Sequence, residues 1–285
     1  MNQPDNIVTL PLSEQRLAVY LINMDGADQR LSMMKAKLNR IGLPYRRIPG
    51  VDGRKLSFPI PEFCRQSYRF LHGRRTNPAE IGCYLSHIAC ARAYLQDGAD
   101  LALILEDDVS FDRDFLNALD LAALHREEWN LLRLTTVNRG RKYPILDLDD
   151  RRSLSIALTR EKGAGAYVID RRAAEWFVND LVPMRLAFDI AFDLEYLDGL
   201  RACFIDPQPA SQVSEHETQI QANWRTYKLP RWRYVTVLPY RAWLELSRVA
   251  CRGWRLGTCR LGSRAQAADR GRARQQAGPT GRDLP

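Results

Sequence analysis

The chain has 285 residues, a formal net charge of +8 and six cysteines (Cys64, Cys83, Cys90, Cys203, Cys251, Cys259), enough length for a sizeable core with ordinary apolar and charged fractions. It contains no apolar run of about 18 residues and no CxxC pair or dense cysteine framework, which excludes a transmembrane helix and a disulfide scaffold. The residues from Met1 to Gln15 lack the basic and apolar regions of a secretory signal, so the expected location is the cytosol, with reduced thiols.

Charge is unevenly spread. From Arg225 to Pro285 there are fourteen Arg or Lys against Glu245, Asp269 and Asp283, a surplus of eleven within the total of +8, which leaves residues 1–224 at about −3. A mildly acidic body with a basic tail suits docking on an anionic surface. An arginine-rich tail also raises a nucleic-acid reading, but the acidic body and the lack of a base-reading module argue against it.

In chain order, residues 1–15 read as a loose leader. Leu17 to Ile22 form an apolar run suited to a buried strand, and Asn23-Met24-Asp25-Gly26 is a turn at its carboxyl end. Asp28 is placed to cap a helix whose Leu31, Met34, Leu38 and Ile41 fall at helical spacing, ended by Gly42. A second short strand lies in Tyr45 to Gly53, ending in Gly50-Val51-Asp52-Gly53. Residues 54–76 are irregular and basic, either a loop over a site or a solvated connection. Asn77-Pro78-Ala79-Glu80 has the form of a capping box and starts a helix to about Gln96. Its Gly82, Ser86, Ala89 and Ala93 form a small-residue stripe, and His87 beside it is either a hydrogen-bonded structural residue or part of a site.

Leu101-Ala102-Leu103-Ile104-Leu105 then runs straight into Glu106-Asp107-Asp108. An apolar run without alternation predicts a strand covered on both faces, as in a mostly parallel sheet, and ligands of such sheets bind beyond the carboxyl ends of the strands. Repulsion of about 4 kcal/mol per close pair, at an effective dielectric of about 20, must be offset by solvent or by a cation, and carboxylate oxygens suit Mg²⁺ or Mn²⁺. Local sequence leaves metal ligation and simple solvation both open.

Beyond this strand, Asp112 is placed to cap a helix with Phe111 and Leu116 as its staple, and Asn130 to Leu134 reads as a strand. Arg139, Gly140, Arg141 and Lys142 read as a basic loop. Strands are predicted at Ser155 to Leu158, Ala166 to Ile169 and Ala202 to Ile205, and a helix at Arg171 to Leu181. Lys162-Gly163-Ala164-Gly165 is too short for a nucleotide fingerprint. Phe188 to Asp193 reads as a helix start with Asp189 and Asp193 one turn apart on one face, either sharing catalytic work or capping the helix. In residues 226–261, Trp243, Leu246, Ala250 and Trp254 cluster opposite Arg241, Arg248, Arg252 and Arg255, a basic amphipathic helix that either lies on anionic lipid or packs on the body. Residues 262–285 read as disordered.

Taken together, these pieces resemble glycosyltransferase family 25, which includes bacterial lipooligosaccharide galactosyltransferases and collagen galactosyltransferases. The resemblance spans about residues 17–212. It is carried by Val19-Tyr20-Leu21-Ile22-Asn23-Met24-Asp25 with Arg30, Val51-Asp52-Gly53, Glu80-Ile81-Gly82-Cys83 with Leu85-Ser86-His87, Leu105-Glu106-Asp107-Asp108-Val109, Gly165-Ala166-Tyr167 and the Phe188-Asp189 segment, in the family's order. It implies an α/β, Rossmann-like fold of the GT-A type in residues 16–225, an inverting mechanism, and a UDP-sugar donor, commonly UDP-galactose. It further implies Mn²⁺ or Mg²⁺ held by Glu106 and Asp108, with Asp107 on the donor's ribose or sugar. Asn23, Asp25, Arg30 and Asp52 would hold the nucleotide, and Ser86 and His87 would lie near the diphosphate or support the acidic strand. Asp189 is the implied base for the acceptor hydroxyl, with Asp193 in reserve. The expected acceptor is a lipid-linked saccharide, with the enzyme peripheral at the cytoplasmic face of the inner membrane. The rival readings are a non-catalytic sugar-nucleotide-binding protein of the same fold and a metal-dependent phosphohydrolase.

Overall fold

Strand β4 (Leu101–Glu106) is the spine of the molecule. Its five apolar residues are all fully buried, each contributing roughly 1.5–3 kcal/mol for the larger side chains. Successive side chains point to opposite faces, so Ala102 and Ile104 enter one core cluster while Leu101, Leu103 and Leu105 enter the other. The computed structural model describes residues 6–138, 140–212, 227 and 234–276, with the side chains of the last helix described to residue 261.

The main sheet has nine strands in the order β1-β2-β4-β9-β6-β10-β8-β7, with β3 paired to β2. These are β1 (Ile7–Thr9), β2 (Arg16–Asn23), β3 (Arg46–Pro49), β6 (Leu131–Arg133), β7 (Lys142–Asp147), β8 (Ser153–Ala157), β9 (Ala166–Asp170) and β10 (Ala202–Asp206). The sheet is mixed, which corrects the mostly parallel expectation. β2 runs parallel to β3 and β4, and β6 to β10, whereas β9 lies antiparallel between β4 and β6. An unbroken apolar run reports cover on both faces, which β4 has, and says nothing of the direction of a neighbour. A two-stranded sheet, β5 (Val109–Phe111) with β11 (Ala210–Gln212), branches off at the end of β4.

Helices cover both faces. α1 (Asp28–Arg40) and α3 (Phe115–Ala123) bury Met34, Leu38, Phe115 and Leu119 on one, and α2 (Pro78–Asp97) and α4 (Arg171–Asn179) bury Ile81, Tyr84, Ile88 and Phe177 on the other. Asn77 caps α2 by accepting from the Ala79 amide, with Pro78 in the first turn. Asp28 sits inside the first turn of α1, whose N-cap is Ala27, and α3 starts after Asp114 rather than Asp112. Asp112 instead pairs with Arg152.

Three segments depart from the sequence reading. The supposed leader contributes β1, with Ile7 and Leu10 in the core. The basic loop is partly strand β7, while Arg139 lies outside the described residues. The tail forms α6 (Tyr234–Gln276), which extends through much of the stretch read as disordered.

The face that α6 turns to the body is its arginine face. Arg248 and Arg252 are buried, Arg252 donating to Glu195 Oε2 at 2.7 Å and Asp193 Oδ1 at 3.0 Å, and Arg255 donating to the carbonyls of Ala202 and Glu128. That inner face also carries Val237, Leu244 and Leu256, while Leu246, Val249 and Trp254 are turned outward.

Candidate active site

The carboxyl ends of β2 and β4 define the crevice, and the three consecutive carboxylates leave β4 in different directions. Asp107 turns toward β2, where Asn23 Nδ2 donates to it at 2.7 Å and Arg30 pairs with it at 3.2 Å. Burial nonetheless pushes its pKa above the usual carboxylate range. Arg47, which the sequence reading did not single out, donates to Asn23 Oδ1 at 3.0 Å and to Asp25 at 2.6 Å. Asn23, Asp25, Arg30 and Asp107 therefore form one polar wall.

Glu106 and Asp108 converge on a different point. The side-chain amide of Gln212 donates to Glu106 Oε2 at 2.7 Å and lies 3.3 and 3.4 Å from the two Asp108 oxygens. Gln212 arrives there because β11 pairs with β5 in a register that sets Gln212 opposite Val109. Its side chain occupies the space that a Cβ on Gly165 would fill, 2.6 Å from the Gln212 Cδ, which explains Gly165 in the Gly-Ala-Tyr triplet. Burial, and then the charge of Glu106, pushes Asp108 up to about 6. Two converging carboxylates that share one neutral donor are an unbalanced charge pair. Their hard oxygens fit Mn²⁺ or Mg²⁺.

Behind Glu106 stands His87. Its Nε2 lies 3.2 Å from Glu106 Oε1 and its Nδ1 3.0 Å from the Tyr167 hydroxyl. A carboxylate only accepts, so the ring donates from Nε2, and Tyr167, held protonated by burial, donates to Nδ1. Ser86 is fully used as well: its Oγ accepts from the Val51 amide at 2.9 Å and donates to Gly82 O at 2.7 Å. It fastens the Val51-Asp52-Gly53 loop to α2, where Gly82 and Gly53 allow backbone to approach backbone. His87 thus contacts the end of the acidic strand through Glu106, and Ser86 contacts the neighbouring loop. Asp52 caps a helical turn over Gly53–Lys55 and is paired with Arg54, whose hydrogen bond holds its carboxyl below the usual range.

Asp189 and Asp193 separate. α5 (Phe188–Ala191) tightens into a 3₁₀ helix from Phe192 to Asp198, so the two side chains do not share a face. Asp193 points inward, 0% exposed, and is bound by Arg133 (3.1 Å), Arg248 (3.1 Å) and Arg252 (3.0 Å). That placement makes it an internal counter-ion and corrects its assignment as reserve base.

Asp189 is partly buried and makes no hydrogen bond or ion pair with a described residue. Burial pushes its pKa upward. The Phe188 ring stacks on His87 with centroids 4.1 Å apart. The Cys83 thiol lies within 4.8 Å of His87 and Glu106 ligand atoms. Burial, followed by the charges of Glu106 and Asp189, raises that thiol. Asp189 and Glu106 thus both lie near enough to Cys83 for their charges to act on its thiol. The Cys83-His87-Glu106 trio is a poor metal site, since the thiol is protonated and both His87 nitrogens are taken. Beyond Asp189, Glu80 accepts from the Tyr68 hydroxyl and pairs with His72 at 3.5 Å instead of closing a capping box.

Gln212, Cys83 and Arg47 escaped sequence reasoning as site residues. The Gly165-Ala166-Tyr167 triplet was the one available hint of Gln212's seat.

Residues 16–192 match the family model described as Glycosyltransferase family 25 (LPS biosynthesis protein). Among curated proteins, the chain is 33% identical over 104 residues to a "Glycosyltransferase 25 family member" of Drosophila pseudoobscura pseudoobscura, covering 34% of this chain and 16% of that one. It is 26% identical over 164 residues to "Procollagen galactosyltransferase 1-B" of Xenopus laevis, covering 50% and 25%. The chain thus spans a quarter or less of the length of these two relatives. A solved structure, the inositol-1-phosphate CTP transferase from T. maritima, aligns with a TM-score of 0.36 at 11% identity, covering 78% of this chain and 76% of that one.

Proposed function

Because the chain belongs to glycosyltransferase family 25, we propose that it transfers a sugar, galactose from UDP-galactose, to a saccharide acceptor of the lipooligosaccharide type with inversion at the anomeric carbon. The observation that carries this reading is that Glu106 and Asp108 converge on the Gln212 amide while Asp189, without a partner among the described residues, lies near enough for its charge to act on the same Cys83 thiol as theirs.

Glu106 and Asp108 are the residues that would hold Mn²⁺ or Mg²⁺, which when bound supplies positive charge to the diphosphate leaving group. Asn23, Asp25, Arg30, Asp52 and Asp107 form the nucleotide side. Arg30 is half exposed beside Asp107, and its guanidinium remains open to a phosphate or ribose oxygen. Asp189 takes the acceptor hydroxyl's proton as that oxygen attacks the anomeric carbon and the bond to UDP breaks. One displacement from the opposite face inverts the configuration. The raised pKa of Asp189 suits this work, because a carboxylate that resists ionisation is the stronger base once ionised.

The test is UDP release from a panel of UDP-sugars, with and without Mn²⁺ and a lipooligosaccharide acceptor, beside Asp108→Asn. The expected result is metal-dependent, acceptor-stimulated release with UDP-galactose that is lost in the variant. Acceptor-independent release would favour the phosphohydrolase reading, and donor binding without release would favour the non-catalytic one.

A further inference from the structure

In most amphipathic helices on soluble bodies the apolar face packs inward and charge faces water. α6 departs from this over the turns whose side chains are described: its inner face mixes buried Val237, Leu244 and Leu256 with buried arginines, while its outer face is largely apolar. Arg248 and Arg252 are buried on Asp193 and Glu195, and Arg255 reaches the carbonyls of Ala202 and Glu128. Outward stand Val235 (76% exposed), Leu238, Leu246 (71%), Val249, Trp254 (77%) and Leu261. At about 100° and 1.5 Å per residue, these fall with Trp243 within an arc of about 160° and a length of about 39 Å. The stripe is a feature of the docked helix, because the buried ion pairs fix its rotation.

We propose that this stripe is a membrane-docking surface that inserts its apolar side chains into the headgroup and acyl boundary of an anionic lipid leaflet. Three observations choose lipid as the occupant. The stripe runs along the outer face of a helix, a convex surface rather than a groove, which suits a flat partner. No described helix is long and apolar enough to cross a membrane, so α6 would lie in the plane of the surface, with Trp243 and Trp254 at the depth where tryptophan is favoured. Past the stripe the sequence from 260 to 276 carries Arg260, Arg264, Arg270, Arg272 and Arg274 against Asp269 alone, a charge complementary to anionic headgroups. This differs from a tail held by its basic face, since Arg248 and Arg252 are already engaged inside the protein.

The stripe also has a place relative to the crevice. Near its start, Arg241 donates to His72 O at 3.3 Å and Val237 packs against Gly73, while His72 pairs with Glu80. Docking by α6 therefore brings the Asp189 side of the crevice toward the lipid surface, where a lipid-linked acceptor would present its sugar. That last consequence rests on the transferase reading, whereas lipid binding itself does not.

The test is flotation of the full chain with phosphatidylglycerol-containing vesicles and with phosphatidylcholine vesicles, at low and high salt, beside Leu246→Glu/Trp254→Glu. Both positions are exposed, so the fold should survive, and an unchanged melting temperature checks that it does. Expected is binding to the anionic vesicles that persists in part at high salt. It should fall by about tenfold or more in the double variant, since about 1.4 kcal/mol is one decade and burying one large apolar side chain exceeds that. Acyl-chain-brominated lipid should quench tryptophan fluorescence less in Trp254→Phe. Absence of vesicle binding would overturn the proposal, as would binding that salt abolishes and the double variant leaves intact. Self-association lost in the double variant without vesicle binding would assign the stripe to a second copy of the chain. UDP release from UDP-galactose in the presence of a soluble acceptor separates failure here from failure of the transferase reading.

Discussion

Arg252→Ala is the sharpest test of how the C-terminal helix is held. Arg252 is buried and makes five hydrogen bonds: two to Glu195, one to the Asp193 carboxylate, one to Asp193 O and one to Ala157 O. Asp193 keeps Arg133 and Arg248 in the variant. The Glu195 carboxylate, 1% exposed, loses both of the hydrogen bonds it accepts from described residues. Breaking a buried pair in this way costs about 3–5 kcal/mol, a change of roughly 10²- to 10⁴-fold in the folded-to-unfolded ratio at about 1.4 kcal/mol per decade. The loss should depend on pH. Burial already raises the Glu195 pKa, and removing the cation raises it further. A carboxyl whose folded pKa exceeds its unfolded one favours the folded state at low pH, and that contribution is lost as pH rises through the folded value. The deficit should therefore be smaller at mildly acidic pH than above neutrality. Urea melts of wild type, Arg252→Ala and Arg252→Lys across that range read it directly, with the lysine variant intermediate because it keeps charge without the planar fork. A deficit below about 1 kcal/mol, within the range of an exposed pair, or one indifferent to pH, would refute the reasoning.

Other sites give independent checks. Gly82→Ala would set a Cβ 2.2 Å from Val51 O, a backbone atom that cannot swing aside, so thermal or urea unfolding should show a loss of about 1–3 kcal/mol. In Gly165→Ala the clash falls on the flexible Gln212 side chain. Stability should change little there, while calorimetry should show weakened Mn²⁺ and donor binding as Gln212 leaves Glu106 and Asp108. Because Asp189 must be ionised to act and burial raises its pKa, kcat/KM should climb with pH through an apparent pKa above the ordinary aspartate value of about 3.9. A limb at or below that value would remove Asp189 from the role. Asp189→Asn should also melt no lower than wild type at neutral pH, since it avoids burying a charge that has no partner among the described residues.

The parts of this molecule legible in sequence are those where one local pattern has one physical outcome. The runs at Leu17 to Ile22 and Leu101 to Leu105 had to be buried strands, and Asn77-Pro78 had to start a helix. Directions and partners were not legible. β9 lies antiparallel beside β4 although its own residues carry no mark of it. β5 and β11 are three residues each, too short for a pattern, yet their pairing delivers Gln212 to the acidic pair. Asp193 fell beside Asp189 on an ideal helical wheel, and the tightening at Phe192 turned it into the core. In the tail, periodicity separates an arginine face from an apolar one. Which face meets the body was decided by Glu195 and Asp193, 57 and 59 residues from Arg252, where no local pattern announces them.

The central claim, that one crevice divides donor binding and proton removal between the Glu106–Asp108 pair and Asp189, is tested most directly by one paired measurement. Affinity for UDP-galactose with Mn²⁺ and the rate of acceptor-dependent transfer are determined on the same preparations of wild type, Asp108→Asn and Asp189→Asn. The account predicts that Asp108→Asn loses metal-dependent donor affinity. Asp189→Asn should bind donor as wild type does yet transfer about 10²–10⁴-fold more slowly, the range of a lost general base. Transfer undiminished in Asp189→Asn, or donor affinity undiminished in Asp108→Asn, would contradict it.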